Sequence, residues 1–115
     1  MENTSTASGN PRRGTARLLI LAQIEVQSRH GYEISQCISD RTGGVVSFNV
    51  ASLYPILYSM ERNGLIVGKW VEKPGQRRRR YYRITAKGKK RLAAERESWN
   101  EFMQAVRQAS GIGYA

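Results

Sequence analysis

The residues best placed to do chemistry are four consecutive arginines, Arg77 to Arg80, inside the stretch KPGQRRRRYYRIT that runs from Lys73 to Thr85. Like charges held side by side repel, so such a run is stable only where solvent or a polyanion absorbs the charge. Guanidinium groups offer paired donors that match phosphate oxygens and stay charged at physiological pH. The chemistry they suggest is recognition of a nucleic-acid backbone, not a reaction. The plainer reading is a solvated hairpin edge, because basic side chains on an edge strand also block strand-to-strand association.

Other chemistry is hard to assemble from this chain. Cys37 is the single cysteine, which excludes an intrachain disulfide and a Cys-rich metal site. Its place beside Ile38 on an apolar helix face reads as a small buried hydrophobe. His30 has no second ligand at metal spacing and reads as a helix-end residue. No Gly-rich phosphate loop, nucleophile elbow or paired-carboxylate arrangement occurs, so neither an enzyme nor a cofactor or metal is expected. Nineteen Lys and Arg against nine Asp and Glu give a net charge of +10 over 115 residues, which points to an anionic partner. The longest wholly apolar run, Leu18 to Ala22, is too short to cross a bilayer, and the start has no signal-peptide h-region. A cytoplasmic protein without membrane contact is expected.

The elements that must position the arginines can be read from periodicity and punctuation. TARLLILAQIEVQS, residues 15–28, is apolar at Leu18, Leu19, Leu21, Ala22, Ile24 and Val26, too broadly for one stripe, and predicts a helix ended by His30-Gly31 and buried on more than one side. YEISQCISDRT predicts a second helix closed by Gly43-Gly44. Val45 to Phe48 reads as a short strand. Asn49 is a good N-cap for a third helix, with Val50, Leu53, Leu57 and Met60 at steps of three and four and Gly64 at its C′ position. Leu65 to Glu72, the turn at Pro74-Gly75, and Arg79 to Ile84 read as a β-hairpin with the arginine run at its tip. Tyr81 and Tyr82 alternate, so one faces in and the other out. Thr85 caps a last helix from about Ala86 to Gln108, whose Leu92, Trp99, Phe102, Met103 and Val106 form an a/d-like seam.

Helix, helix, short strand, helix, hairpin, helix is the order of a winged helix-turn-helix. The fold class expected is mainly α with a small β-hairpin, extended by a C-terminal dimerisation helix. Its parts are a disordered arm over residues 1–14, the DNA-binding domain over 15–85, the dimerisation helix over 86–108 and a frayed tail over 109–115. A core this small favours pairing with a second copy.

Four ordered blocks carry a family resemblance: HGYEI at His30–Ile34, SLYPILY at Ser52–Tyr58, ERNGLI at Glu61–Ile66 and RRYYRITAKG at Arg79–Gly88. Together they resemble the PadR family of bacterial transcriptional regulators across roughly residues 16–108, spacing intact. The resemblance implies a winged-helix homodimer that represses a nearby promoter. It implies that the SLYPILY helix enters DNA, with Asn49, Ser52, Tyr54, Pro55 and Tyr58 on its exposed side, while Arg77, Arg78, Arg79 and Arg80 of the wing meet a minor groove or the phosphates. Tyr54 is the first choice for contact, since Leu53 and Leu57 already fill the buried face.

Glu97-Ser98-Trp99 is similar to the segment by which some compact members stack planar aromatic ligands in a cavity at the dimer interface. Two readings of Trp99 stand. One is interface core; the other is a pocket for a planar aromatic effector, with Leu18, Phe102 and Met103 beside it. For the whole chain the main expectation is a repressor on double-stranded DNA. The alternatives are a sequence-nonspecific architectural or RNA-binding protein using the same basic wing, and a protein-interaction adaptor that has kept only the fold.

Overall fold

The structure, a computed structural model, describes residues 13–113, and the expected arm falls almost wholly outside them. The order is α1 (Arg13–Gln23), β1 (Arg29–His30), α2 (Gly31–Arg41), α3 (Val50–Arg62), β2 (Ile66–Val71), β3 (Arg79–Ile84) and α4 (Ala86–Ser110). Four helices and a three-stranded antiparallel sheet of order β1-β3-β2 make a winged helix, as the element order predicts.

The first helix corrects the sequence reading. α1 begins ahead of Thr15 and stops at Gln23, not at Ser28. Ile24 is still buried, but Val26 is exposed, and the Arg29 guanidinium Nε donates to the Gln23 carbonyl at 2.7 Å, which turns the chain back. His30 does not end this helix; it starts the next one. Its Nδ1 accepts the Glu33 N–H at 3.3 Å, while the Glu33 carboxylate accepts the His30 N–H at 3.1 Å. This capping box satisfies two backbone donors at the start of α2.

The short strand also lies elsewhere than expected. Val45 to Phe48 forms no strand, because side chains occupy the backbone groups a strand partner would need. Thr42 Oγ1 donates to the Ile38 carbonyl at 2.9 Å and accepts the Val46 N–H at 3.0 Å, and Ser35 Oγ donates to the Phe48 carbonyl at 2.8 Å. The third strand is β1, where Arg29 pairs with Tyr82 and His30 with Tyr81.

In α3, Asn49 Oδ1 accepts the Ser52 N–H at 2.8 Å as the N-cap, and Leu53, Leu57 and Met60 are fully buried on one face. Asn63 is its C-cap, and Gly64 follows with a left-handed φ of 78°, as its place predicts. The register from Ile66 opposite Ile84 to Val71 opposite Arg79 leaves residues 72–78 as the tip of the hairpin. Of the two alternating tyrosines, Tyr82 is buried and Tyr81 is partly exposed.

Thr85 Oγ1 accepts the Gly88 N–H at 3.0 Å and donates to the Gly64 carbonyl at 2.6 Å, while the Thr85 N–H donates to the Leu65 carbonyl at 3.1 Å, tying the start of α4 to the start of the wing. Gly88 is required there, since a Cβ would run into the Leu65 carbonyl oxygen. α4 continues past Gln108 to Ser110, where Gly111 closes it in the left-handed region. The core draws Ile20, Leu21 and Ile24 together with Ile34 and Ile38, Leu53, Leu57 and Met60, the buried wing residues and Leu92. Among the described residues no helix is long and apolar enough to cross a membrane.

Candidate nucleic-acid interface

Burial of Leu53 and Leu57 turns the other face of α3 outward, so Ala51, Ser52, Tyr54, Pro55 and Tyr58 are exposed. Pro55 supplies no N–H to the Ala51 carbonyl, which leaves that acceptor open on the exposed surface. The Tyr54 ring lies across the start of α2, and a Cβ at Gly31 would come within 3.0 Å of its hydroxyl. Gly31 therefore lets α2 approach closely and fixes where the phenol points.

Folding the wing against this face makes a concavity of about 380 Å³ lined by His30, Tyr54, Trp70, Arg77, Arg78, Arg79, Arg80 and Tyr82. Tyr54 and all four arginines of the run thus share one surface. Asn49, Ser52, Pro55 and Tyr58 stand outside that concavity on the open side of α3, where the Arg62 guanidinium lies 5.9 Å from the Tyr58 ring centre.

The arginines are not equivalent. Arg77 and Arg78 are exposed at the tip; the Arg78 guanidinium sits 4.8 Å above the Trp70 ring, a cation–π contact that orders an otherwise free side chain. Arg80 is ion-paired with Glu61 of α3. On the opposite side of β3, Tyr81 takes the His30 ring edge-on at 5.2 Å, and the Lys73 ammonium lies 5.3 Å from the Tyr81 ring centre.

Burial pushes the His30 imidazole below its ordinary pKa; the Glu33 carboxylate pulls it back up, and Arg79 and Lys73 push it down. Burial raises the Tyr82 phenol, which keeps it a neutral donor.

His30, Trp70 and Glu61 are the functional residues that sequence reasoning missed. A Glu three residues after His30 is capping-box spacing and could have revealed the first. Glu61 opens the ERNGLI block, but nothing local pairs it with Arg80 and Gly68 of the wing, and the arginines that meet Trp70 lie across the hairpin.

The second expected site is only partly built within one chain. Trp99 stacks edge-on against Phe102 at 5.8 Å, and an open cleft of about 360 Å³ lies beside them, lined also by Gly14, Thr15 and Ser98. Leu18 and Met103 are not among its walls. Glu95 pairs with Arg17 at 3.4 Å and approaches Arg91 at 3.9 Å, while Arg96 pairs with Glu25 at 2.9 Å. The pairs of Glu95 with Arg17 and of Arg96 with Glu25 tie the first half of α4 to α1 and its exit.

Comparison with known proteins follows the same geometry. The family model described as "Transcriptional regulator PadR-like family" matches residues 20–94. An uncharacterized protein of Lysinibacillus sphaericus is 34% identical over 94 residues, covering 82% of this chain and 86% of the relative. A transcriptional regulator from Clostridium thermocellum superposes with a TM-score of 0.76 at 30% identity, covering 84% of this chain and 93% of the other. A PadR-like transcriptional regulator from Bacillus cereus gives 0.72 at 29% identity, over 84% and 92%. This chain belongs to the PadR-like family of transcriptional regulators.

Proposed function

We propose that the protein is a homodimeric repressor that binds an inverted-repeat operator upstream of a nearby promoter in the cytoplasm. The helix over 50–63 enters the major groove and the basic wing over 73–80 follows the adjacent phosphates. The single observation that carries this reading is the shared concavity of Tyr54 and the Arg77–Arg80 run, which joins a base-reading surface to a phosphate-reading one. From it Tyr54, and beside it on the open side of α3 Ser52 and Pro55, meet base edges and sugars, Asn49 and Tyr58 flank them, and Arg77, Arg78 and Arg79 face phosphate.

The winged region from α1 through β3 then forms the DNA-binding part, and α4 the dimerisation helix. The cleft beside Trp99, once a second copy closes it, takes a planar aromatic effector that relieves repression.

The test is competition binding of its own upstream DNA against random duplex at two salt concentrations. A preference of roughly 10³ that survives the higher salt is expected, and equal binding to both would leave a nonspecific architectural protein instead. Within that assay, Arg77→Gln and Arg78→Gln should each lower the salt slope by about one unit on any sequence. Ser52→Ala and Tyr54→Phe should shift sequence preference as well.

A further inference from the structure

Resting on that reading, we infer that Arg80 is a positioning residue: clamped on Glu61, it sets the angle of the wing against the recognition helix instead of meeting DNA. One carboxylate oxygen carries the clamp. Glu61 Oε2, in the last turn of α3, accepts from the Arg80 Nη2 on β3 and from the backbone N–H of Gly68 on β2 at 3.1 Å. It therefore holds both strands of the wing to the helix that reads the groove. β2 is an edge strand of the sheet, so its outward N–H at Gly68 has no strand partner, and Glu61 supplies the acceptor.

The rest of the surroundings is shaped to the same guanidinium. A Cβ at Gly68 would lie 2.5 Å from Arg80 Nε and 2.7 Å from its Cζ, so the planar group rests directly on the β2 backbone and any side chain at 68 would push it aside. Its other neighbours are the Trp70 and Tyr82 rings, at 5.7 and 5.9 Å. Arg80 is 29% exposed and Glu61 23%, so the pair is partly withdrawn from solvent, unlike the open side chains of Arg77 and Arg78. A partly buried pair held by a backbone donor and two rings resists exchange of its carboxylate for a phosphate.

The experiment is a double-mutant cycle on the full chain, with binding to the upstream fragment followed over a salt series for wild type, Arg80→Gln, Arg80→Lys, Glu61→Gln and the double variant Glu61→Gln/Arg80→Gln. Each single variant should weaken specific binding about tenfold, the double should be no weaker than either, and the salt slope should hold. Arg80→Lys should behave as Arg80→Gln does, because a lysine keeps the charge but not the planar fork. A phosphate contact predicts the reverse: a slope lower by about one, near-complete rescue by Lys, and tighter binding in Glu61→Gln, which removes a negative charge. Any of these would overturn the inference.

Amide exchange at Gly68 gives a second readout that needs no DNA. Protection should be present in wild type and lost in Glu61→Ala, which removes the acceptor that a glutamine would keep, and equal exchange in the two would overturn the clamp. If wild type binds no duplex, the repressor reading fails while the Gly68 result still judges the clamp.

Discussion

The two halves of α4 carry one apolar spacing and meet opposite fates. Leu92 is 1% exposed, packed under the winged core, whereas Phe102 and Met103, further along the same seam, are 51% and 43% exposed. Among the described residues α1 and its exit accompany the first half, where Arg17 meets Glu95 and Glu25 meets Arg96. Periodicity says that a face is built for burial, but what covers it depends on which other elements pack there. The contrast can be broken directly. Leu92→Ala should cost about 2–5 kcal/mol, since it opens a cavity under a closed core. Met103→Ala should cost less than about 0.5 kcal/mol in the dilute protomer, where its side chain already meets water. Urea unfolding at low concentration checks both, and comparable losses would mean that the distal half belongs to the protomer's own core.

The same contrast explains how much could be read in advance. The three long helices of the core, the wing hairpin and the Gly64 and Thr85 boundaries were legible because each rests on local chemistry: a cap, a left-handed glycine, a switch of period. β1 was not, because Arg29 and His30 are two polar residues whose strand character comes only from β3, far along the chain. Val45-Val46 misled for the opposite reason. Its β-branched composition favours a strand, but Thr42 and Ser35 had already bonded the backbone there. At the site, the charge of the arginine run was plain in sequence. That Glu61 withdraws Arg80 from the run, and that Trp70 underlies Arg78, required the hairpin to be folded onto α3.

A smaller effect tests how the compact half is knit at its polar junction. The native His30 imidazole titrates below its ordinary value of 6.5, chiefly through burial, against the upward pull of Glu33 and with Arg79 and Lys73 pushing down. The unfolded chain therefore binds a proton first as pH falls, so the contribution of His30 is intact above about pH 6.5 and is lost progressively below it. Protonation also removes the Nδ1 lone pair that accepts the Glu33 N–H. Stability should therefore fall as pH drops below about 6.5, and His30→Asn, which caps without titrating, should flatten that part of the curve. Identical pH profiles for the two proteins would mean that acid reaches the core by another route.

The smallest effect on the protomer decides what the distal half of α4 is for. Phe102→Glu with Met103→Glu should leave protomer stability within about 1 kcal/mol, because both side chains are about half exposed within the described residues of one chain. In wild type an apolar strip of Trp99, Phe102, Met103 and Val106 along one side of a helix is the kind of patch that soluble monomers do not leave bare, and the one surface certain to be present at equal concentration is a second copy. Sedimentation of wild type should therefore show a dimer, and the double variant a monomer at the same loading. The two halves of α4 would then differ only in which chain buries them. If wild type is a monomer at tens of micromolar, the strip is not a self-association face, and the cleft beside Trp99 has no second copy to close it.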